Sequence, residues 1–452
     1  MVLAIILILL VVGSILFHFL SPWWFTPLAS NWGNIDDTVN LTFWVTGIVF
    51  VLVNLFMAYA IIRYRHRKDQ KSQADYEPEN KKLETWLTVI TTIGVVAMLA
   101  PGLFVWADFV TVPEGADEFE AVGQQWQWSF RLAGADGKWG KTDIRKVSVE
   151  NPFGMDANDP HGQDDILINS NEIHLPVDRP VKALLRSKDV LHNFAVPQFR
   201  VKMDLVPGMV SYLWFTPTQT GTYEIMCEEL CGIGHHTMRG RVVVDEADDY
   251  QAWLSQQPTF AELSAKAVAN VAAGQAQYAV CAACHGQKAE GNVALNAPKL
   301  SGQQSWYVAR QLKYYKQGVR GAHEQDIYGK QMAPMAMVLA NDQAIDNVAA
   351  YIASLPEQPV TATLTGDAKR GKSLYVTCGS CHGRDGEGSF GTGSPKLRGQ
   401  QDWYLSRQLN NYKDGIRGKH PNDLYGPQMA MMARILKDDT AVNDVVAYIN
   451  SL

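Results

Sequence analysis

The pentapeptide Cys281-Ala-Ala-Cys284-His285 recurs 97 residues later as Cys378-Gly-Ser-Cys381-His382. The two copies agree at the same offset far beyond the motif: Pro298 with Pro395, Trp306 with Trp403, Arg310 with Arg407, Tyr328 with Tyr425, Met332 with Met429, Tyr351 with Tyr448. A segment repeated without insertion is a unit that folds twice, so the chain must hold two copies of one small structure. C-x-x-C-H is the attachment signature of c-type haem. Two thiols add across the porphyrin vinyl groups, and the adjacent histidine is held beneath the iron. A zinc or disulfide reading would need both copies to carry the trailing His, and a Met near fifty residues on, for no reason.

The 452 residues suit about three domains plus whatever lies in a membrane. Six cysteines divide into one pair per haem motif and one pair at Cys227 and Cys231, which leaves none for a disulfide. The net charge of -6 conceals a segregation, and it favours no nucleic-acid partner. From 113 to 260 there are 22 acidic against 13 basic residues, whereas 270–355 has 7 basic against 5 acidic and 367–452 has 12 against 9. An acidic middle domain facing mildly basic haem domains predicts electrostatic docking between them.

Three apolar runs precede the polar remainder, at about 2–20, 41–62 and 86–106. Each is long enough for a bilayer core of ~30 Å. The basic stretch from Arg63 to Lys68, with Lys71, Lys81 and Lys82, places the second loop in the cytoplasm. Everything after Trp106 is then extracytoplasmic, where haem attachment and thiol-copper chemistry take place. The first run has no preceding Lys or Arg and no small-residue cleavage site, so a retained helix is favoured over a signal peptide. Pro22-Trp-Trp-Phe25 reads as an interfacial aromatic belt.

From Glu118 to about Val244 the pattern changes to short runs of Val, Leu, Tyr and Phe broken by Pro and Gly, a β-sandwich or barrel signature. At the end of one such strand stands Cys227-Glu-Glu-Leu-Cys231-Gly-Ile-Gly-His235-His-Thr-Met238. Two thiolates, an imidazole and a thioether within twelve residues form a copper set, because soft sulfur selects copper over hard cations. His192, in Asp189-Val-Leu-His192, offers a second imidazole. His174, His236 and His161 are expected to be ordinary polar residues, and the stretch from 133 to 163 looks like an insertion between strands.

The spacing Cys-x3-Cys-x3-His-x2-Met, with Gln125-Trp-Gln-Trp128 and the Asp189 to Pro197 loop, resembles cytochrome c oxidase subunit II over about 41–244. That resemblance implies a binuclear CuA centre. Cys227 and Cys231 would bridge both coppers, His192 and Met238 would complete one shell, His235 the other, and Glu229 would lend its carbonyl to copper. It also implies that the Glu229 carboxylate joins a magnesium site shared with subunit I and that Trp126 admits electrons. Glu84 would stand at the mouth of a proton pathway.

After Gln256-Gln-Pro258 the period becomes helical. An iron ligand shared by both copies lies at a position that is Met in both, which leaves Met332 with Met429 or Met335 with Met432. Pro-Lys-Leu at 298–300, Gly302-Gln303 and the Tyr307 to Leu312 pattern resemble the bacterial dihaem cytochromes c. That resemblance implies Met332 and Met429, with Pro298 and Pro395 accepting the histidine N–H.

The expected architecture is a multidomain membrane protein: transmembrane α-helices, then a cupredoxin-like β-barrel or sandwich, then two all-α cytochrome c domains. Its divisions are 1–108 anchor, 109–256 copper domain, 257–272 linker, 273–355 first haem domain, 356–366 linker and 367–452 second haem domain. The expected ligands are Cys281, Cys284, His285 and Met332 for one haem c, and Cys378, Cys381, His382 and Met429 for the other. The expected function is electron input to a bacterial haem-copper terminal oxidase in the cell membrane, with oxygen reduced and protons pumped in subunit I and subunit III as a further partner. The donor would be a soluble cytochrome c, a small copper protein or a quinol-oxidising complex. Rival readings are the CuA subunit of a nitric oxide reductase and a tethered electron carrier without a catalytic partner.

Overall fold

A computed structural model describes residues 1–21, 26–65, 79–148, 151–265 and 268–452. The aromatic belt at 22–25 and the basic loop from 66 lie outside the described residues. Three apolar helices come first, α1 (Val2–Leu20), α2 (Gly33–Arg63) and α3 (Lys81–Val110), each long and apolar enough to cross a bilayer. α2 starts before and α3 ends after the expected spans, because these two ends carry on as helix to meet the next domain. The Arg200 guanidinium grips Asp36 at the start of α2 with two hydrogen bonds of 2.7 and 2.9 Å. At the end of α3, the carbonyls of Asp108 and Val110 accept from Trp214 Nε1 and the Tyr212 hydroxyl. The start of α2 and the end of α3 therefore lie on the same side, against the β domain.

That domain holds two five-stranded sheets. The strands are β1 (Asp117–Gln124), β2 (Gln127–Leu132), β3 (Ile166–Ile168), β4 (Glu172–Pro176) and β5 (Val181–Ser187), followed by β6 (His192–Val196), β7 (Val201–Leu205), β8 (Ser211–Phe215), β9 (Gly221–Met226) and β10 (Arg239–Asp245). The sheet orders are β3-β2-β1-β5-β8 and β4-β10-β9-β6-β7, with β1 and β5, and β10 and β4, parallel. Side chains on β5 are buried at alternate positions, as the period of a strand requires. Phe119, Phe130, Phe194 and Trp128 fill the space between the sheets, each fully buried aromatic contributing ~2 to 3 kcal/mol.

Two short helices follow, α4 (Ala247–Leu254) and α5 (Phe260–Ser264). Thr259 and Glu262 cap α5 reciprocally. Phe260 is buried with Val122, Leu167 and two residues of the 133–163 insertion, Phe153 and Met155. The insertion thus pins the chain as it leaves the β domain, and the stretch read as a linker begins as ordered structure.

The first helical domain contains α6 (Val271–His285), α7 (Ser305–Lys316), α8 (Ile327–Met337) and α9 (Asp342–Ser354). The second repeats it as α10 (Ala368–His382), α11 (Asp402–Lys413), α12 (Gly426–Ala433) and α13 (Asp439–Asn450). In each, the first helix crosses the last at a glycine. A Cβ on Gly274 would stand 2.0 Å from the Asn347 carbonyl oxygen, and one on Gly371 1.9 Å from that of Asp444.

The two helical domains face each other through contacts that repeat under exchange of partners. Lys299 N donates to Gln401 Oε1 at 3.0 Å, and Lys396 N to Gln304 Oε1 at 3.1 Å. Gln303 donates to the Lys396 carbonyl, and Gln400 to that of Lys299. Arg310 lies 4.1 Å over the Tyr425 ring, and Arg407 4.2 Å over that of Tyr328. Buried Arg320 donates to Tyr404 and Gln408, and buried Arg417 to Tyr307 and Gln311. This is an isologous interface of the kind that joins two-fold dimers, here within one chain. Glu357 in the connecting segment pairs with both Lys299 and Lys396.

Candidate functional site

Strand order places the copper-type residues at one end of the second sheet. His192 opens β6, Cys227 follows β9, and the loop from Cys231 to Met238 returns into β10. β6 meets β9 at Ala195 and Met226, so His192 and Cys227 become neighbours although 35 residues separate them. The two sulfurs lie 3.6 Å apart and form no disulfide. His192 Nδ1 is 3.9 Å from Cys227 Sγ, His235 Nδ1 3.6 Å from Cys231 Sγ, Met238 Sδ 3.9 Å from Cys231 Sγ, and the Glu229 carbonyl oxygen 3.3 Å from Cys227 Sγ. Six potential donors thus converge on one small volume.

The protonation pattern suits a soft metal. Hydrogen bonding between the thiols drives Cys227 down towards thiolate and Cys231 up, so the pair shares one proton. Burial alone would lower His192, but the Asp189 carboxylate and the Cys227 sulfur outweigh it and raise the imidazole. Asp189 Oδ1 meets His192 Nε2 at 2.8 Å, while its other oxygen accepts from Gln125 N. This contact turns Nδ1 towards the sulfurs. Asp189 was visible in the sequence only as a neighbour of His192, because its orienting role depends on the turn that folds it back.

Trp126 lies across the same loop. Its Nε1 donates to the Cys231 carbonyl at 3.2 Å, and Gln125 Nε2 donates to the same oxygen at 2.8 Å. Gly234 is required here, since a Cβ at that position would come within 2.4 Å of the indole. Trp126 is only 4 % exposed. The copper loop packs on the indole at Gly232 and Gly234, and the second helical domain seats on the same strand pair: Gln428 Nε2 donates to the Trp126 carbonyl, Gln124 Nε2 to the Gly391 carbonyl, and Gln127 lies beside the Tyr425 hydroxyl. Cys381 packs against the β-domain core.

Charge segregation predicted an ionic interface between these domains. Instead, among the described residues, no ion pair crosses it. Both partners meet through neutral amides and backbone carbonyls, which sequence charge alone does not reveal.

In each helical domain the C-x-x-C-H segment ends the first helix. His285 Nδ1 and His382 Nδ1 contact the carbonyl oxygens of Pro298 and Pro395, each at 2.8 Å. Burial keeps both imidazoles neutral by lowering their pKa. With Nδ1–H donated to a carbonyl, Nε2 is left to face the interior. One continuous cavity runs through both domains, lined by Cys281, Cys284 and Met332 on one side and by Cys378, Cys381 and Met429 on the other. The donor set, the fixed tautomer and the cavity fit a covalently held haem in each domain. Met332 and Met429 pack against the cores, whereas Met335, which also lines the cavity, is 39 % exposed.

The remaining histidines are engaged elsewhere or exposed. His174 stacks on Trp253 and pairs with Asp245, His161 pairs with Asp136, and His236 is exposed. Glu84 lies in the first turn of α3, exposed, at the end remote from the β domain. The inter-domain residues Gln311, Gln408, Arg320 and Arg417 escaped sequence reasoning. Their signal was available, as polar residues kept at the 97-residue offset with no haem role.

Residues 118–246 match the family described as cytochrome C oxidase subunit II, periplasmic domain, and residues 271–356 and 368–452 each match cytochrome c. Over 266 residues the chain is 59% identical to the alternative cytochrome c oxidase subunit 2 of Bradyrhizobium diazoefficiens, covering 59% of this chain and 95% of that protein. It is 28% identical over 236 residues to the cytochrome c oxidase subunit 2 of Cereibacter sphaeroides, covering 47% of this chain and 75% of the relative. The reduced recombinant cytochrome c4 of Pseudomonas stutzeri is 27% identical with a TM-score of 0.34, covering 41% of this chain and 99% of that one.

Proposed function

The chain belongs to the cytochrome c oxidase subunit 2 family, and from that premise we propose how its residues serve electron input. It is the electron-accepting subunit of a haem-copper terminal oxidase, works in a complex with subunit I, and carries haem c and CuA copper. Apolar helices anchor it, with the copper domain on the periplasmic side.

In our reading Cys227 and Cys231, with His192, His235, Met238 and the Glu229 carbonyl, would hold two coppers. The observation that carries this is the convergence of all six donors within hydrogen-bonding reach of the two sulfurs. When bound, a thiolate-bridged copper pair supplies one-electron transfer with little change in bond length. The chain's own residues do the rest. Asp189 orients His192, the sheet edge buries both sulfurs, and Trp126 packs on the loop at the Cys231 carbonyl and Gly234.

We assign one haem c to each helical domain. Cys281 and Cys284, and Cys378 and Cys381, would hold the porphyrins, with His285 and Met332, and His382 and Met429, as the residues that would ligate iron. Greater burial of Met332 than of Met335 supports this choice.

Three apolar helices with α2 and α3 antiparallel support a multi-pass anchor whose 64–80 loop is cytoplasmic. Glu84, at that end, would then stand at the mouth of a proton pathway in subunit I. Glu229 is half-buried beside the copper loop, which supports the reading that its carboxylate joins a magnesium site shared with subunit I. Subunit III and a soluble donor complete the assembly.

Metal analysis and mass spectrometry of the purified oxidase test the assignment. Two covalent haems and two coppers per chain are expected, and Cys231→Ser should erase the spin-resonance signal shared between the coppers while sparing both haem bands. A single haem, or a Cys227 to Cys231 disulfide in copper-loaded protein, would sink it.

A further inference from the structure

The duplicated domains are alike internally, and only one of them has its outer face covered. Among the described residues the second domain meets the copper domain through the Gly391 carbonyl on Gln124, Gln428 on the Trp126 carbonyl, Tyr425 beside Gln127 and Cys381 against the β-domain core. Moving back 97 residues, the matching positions in the first domain are Ala294, Gln331 and Tyr328, and all three are exposed. The same face bares Val293 at 54 % and Leu295 at 51 %, whereas in the second domain Phe390 packs edge-on against Trp306 of the first domain and the Thr392 hydroxyl donates to the Cys381 carbonyl. Cys284, at the haem crevice, is exposed there, while its counterpart Cys381 packs against the copper-domain core.

Resting on the function proposed above, we propose that the two haem domains act in a fixed order. The second is seated on the copper domain at Trp126, and the first offers its equivalent face to a soluble one-electron carrier. That carrier has an uncharged, apolar collar around its own exposed cofactor edge. Three arguments commit to this occupant. The face is equivalent by duplication to one that is filled inside the chain, and what fills it there is the surface over a redox centre. Its contacts are neutral amides, a carbonyl and apolar side chains, with no ion pair among the described residues. Trp126, the input point expected for a soluble donor, is covered, so a carrier has to approach elsewhere. One electron leaves the carrier's metal and arrives in the first domain, then passes to the second and to copper, with no bond made or broken and no proton moved in this chain.

The matched pair Ala294→Glu and Gly391→Glu, made in the intact oxidase, tests the order. Neither position lines the haem cavity. Stopped-flow reduction by a soluble monohaem cytochrome c, by hexaammineruthenium(II), and flash-induced transfer from haem to copper are measured for each. Ala294→Glu should slow reduction by the protein donor about tenfold, equal to ~1.4 kcal/mol, and spare the ruthenium and internal rates. Gly391→Glu should do the reverse, slowing the internal step alone. Hydrogen exchange in 292–296 and 327–331 should slow when the donor is added to the wild-type oxidase, and not with Ala294→Glu. Val293→Glu, at an equally exposed position, repeats the test should Ala294→Glu fold poorly. Donor protection at 390–392 instead, or a donor rate unmoved by both first-domain variants, overturns the order. So does a wild-type dimer, seen by light scattering, that Ala294→Glu dissociates without changing the donor rate, since a second copy would then own the face. A wild-type copper centre that no reductant fills would overturn the electron-accepting reading itself, and this order with it.

Discussion

The two helical domains share a sequence pattern, a haem cradle and a two-fold interface, yet among the described residues only the second hydrogen-bonds the copper domain. Both hold a neutral histidine on a proline carbonyl, and each sends a buried arginine to a tyrosine and a glutamine of the other. The difference lies entirely outside the fold. Gln428 and the Gly391 carbonyl hydrogen-bond the copper domain, whereas Gln331 and Ala294 at the matching positions are exposed. Duplication supplies two equivalent faces, and a two-fold axis turns them in opposite directions. Only one can then meet a domain attached at the N-terminal end of the pair. Asymmetric function thus follows from symmetric parts joined in one chain.

The largest expected effect comes from emptying one cradle at a time. His382→Ala should abolish transfer into copper from any donor, whereas His285→Ala should abolish only delivery from a protein donor and leave transfer from the second domain intact. Flash photolysis with selective haem reduction reads both. Equal loss in the two variants would break the comparison.

Next in size is the shared interface. Arg320→Ala and Arg417→Ala each leave buried tyrosine and glutamine oxygens without their charged donor, at a cost of about 3 kcal/mol. Both should lower the melting temperature of the helical pair, followed by haem absorbance, to the same extent. A clear inequality would show that the two-fold relation is geometric and not energetic.

Smaller is the loss of one neutral hydrogen bond. Gln428→Ala should weaken seating on Trp126 by about 1 kcal/mol and slow the internal step severalfold, while Gln331→Ala should leave that step unchanged. The internal rate should also resist added salt, because no ion pair among the described residues crosses the interface.

The smallest effect is a pH dependence on the copper side of the contact. Lys188 is buried against Gln124 and the Pro152 carbonyl, and burial lowers its pKa from 10.5 to about 8. The folded domain therefore releases this proton before the unfolded chain does. Stability from Lys188 should rise between pH 8 and 10.5, as the cost of a buried charge is removed. Lys188→Met should flatten that rise in denaturant titrations, and an unchanged slope would show that Lys188 stays solvated.

Local chemistry made much of this molecule readable. The haem motifs carry their own ligands within five residues, and the copper loop brings Cys227, Cys231, His235 and Met238 within twelve. Such sites are written in consecutive letters, so spacing alone exposes them. Alternation of apolar residues marked the β domain, and long apolar runs marked the helices. The helix ends were less legible, because Asn34 and Asp36 read as loop until Arg200 gives the extended helix a partner.

By itself, then, the sequence determined the parts list: three apolar helices, a β domain with a soft-metal loop, and two copies of a haem-type fold. Each follows from covalent neighbours and short-range periodicity. Tertiary structure alone decided which parts touch. The strand pairing that brings His192 beside Cys227, the axis that exchanges Arg320 and Arg417, and the seating of Gln428 on Trp126 all join residues far apart in the chain. Neutral hydrogen bonds to backbone carbonyls govern that seating, and a carbonyl is present at every position. No pattern of side chains could announce in advance which carbonyl would be used.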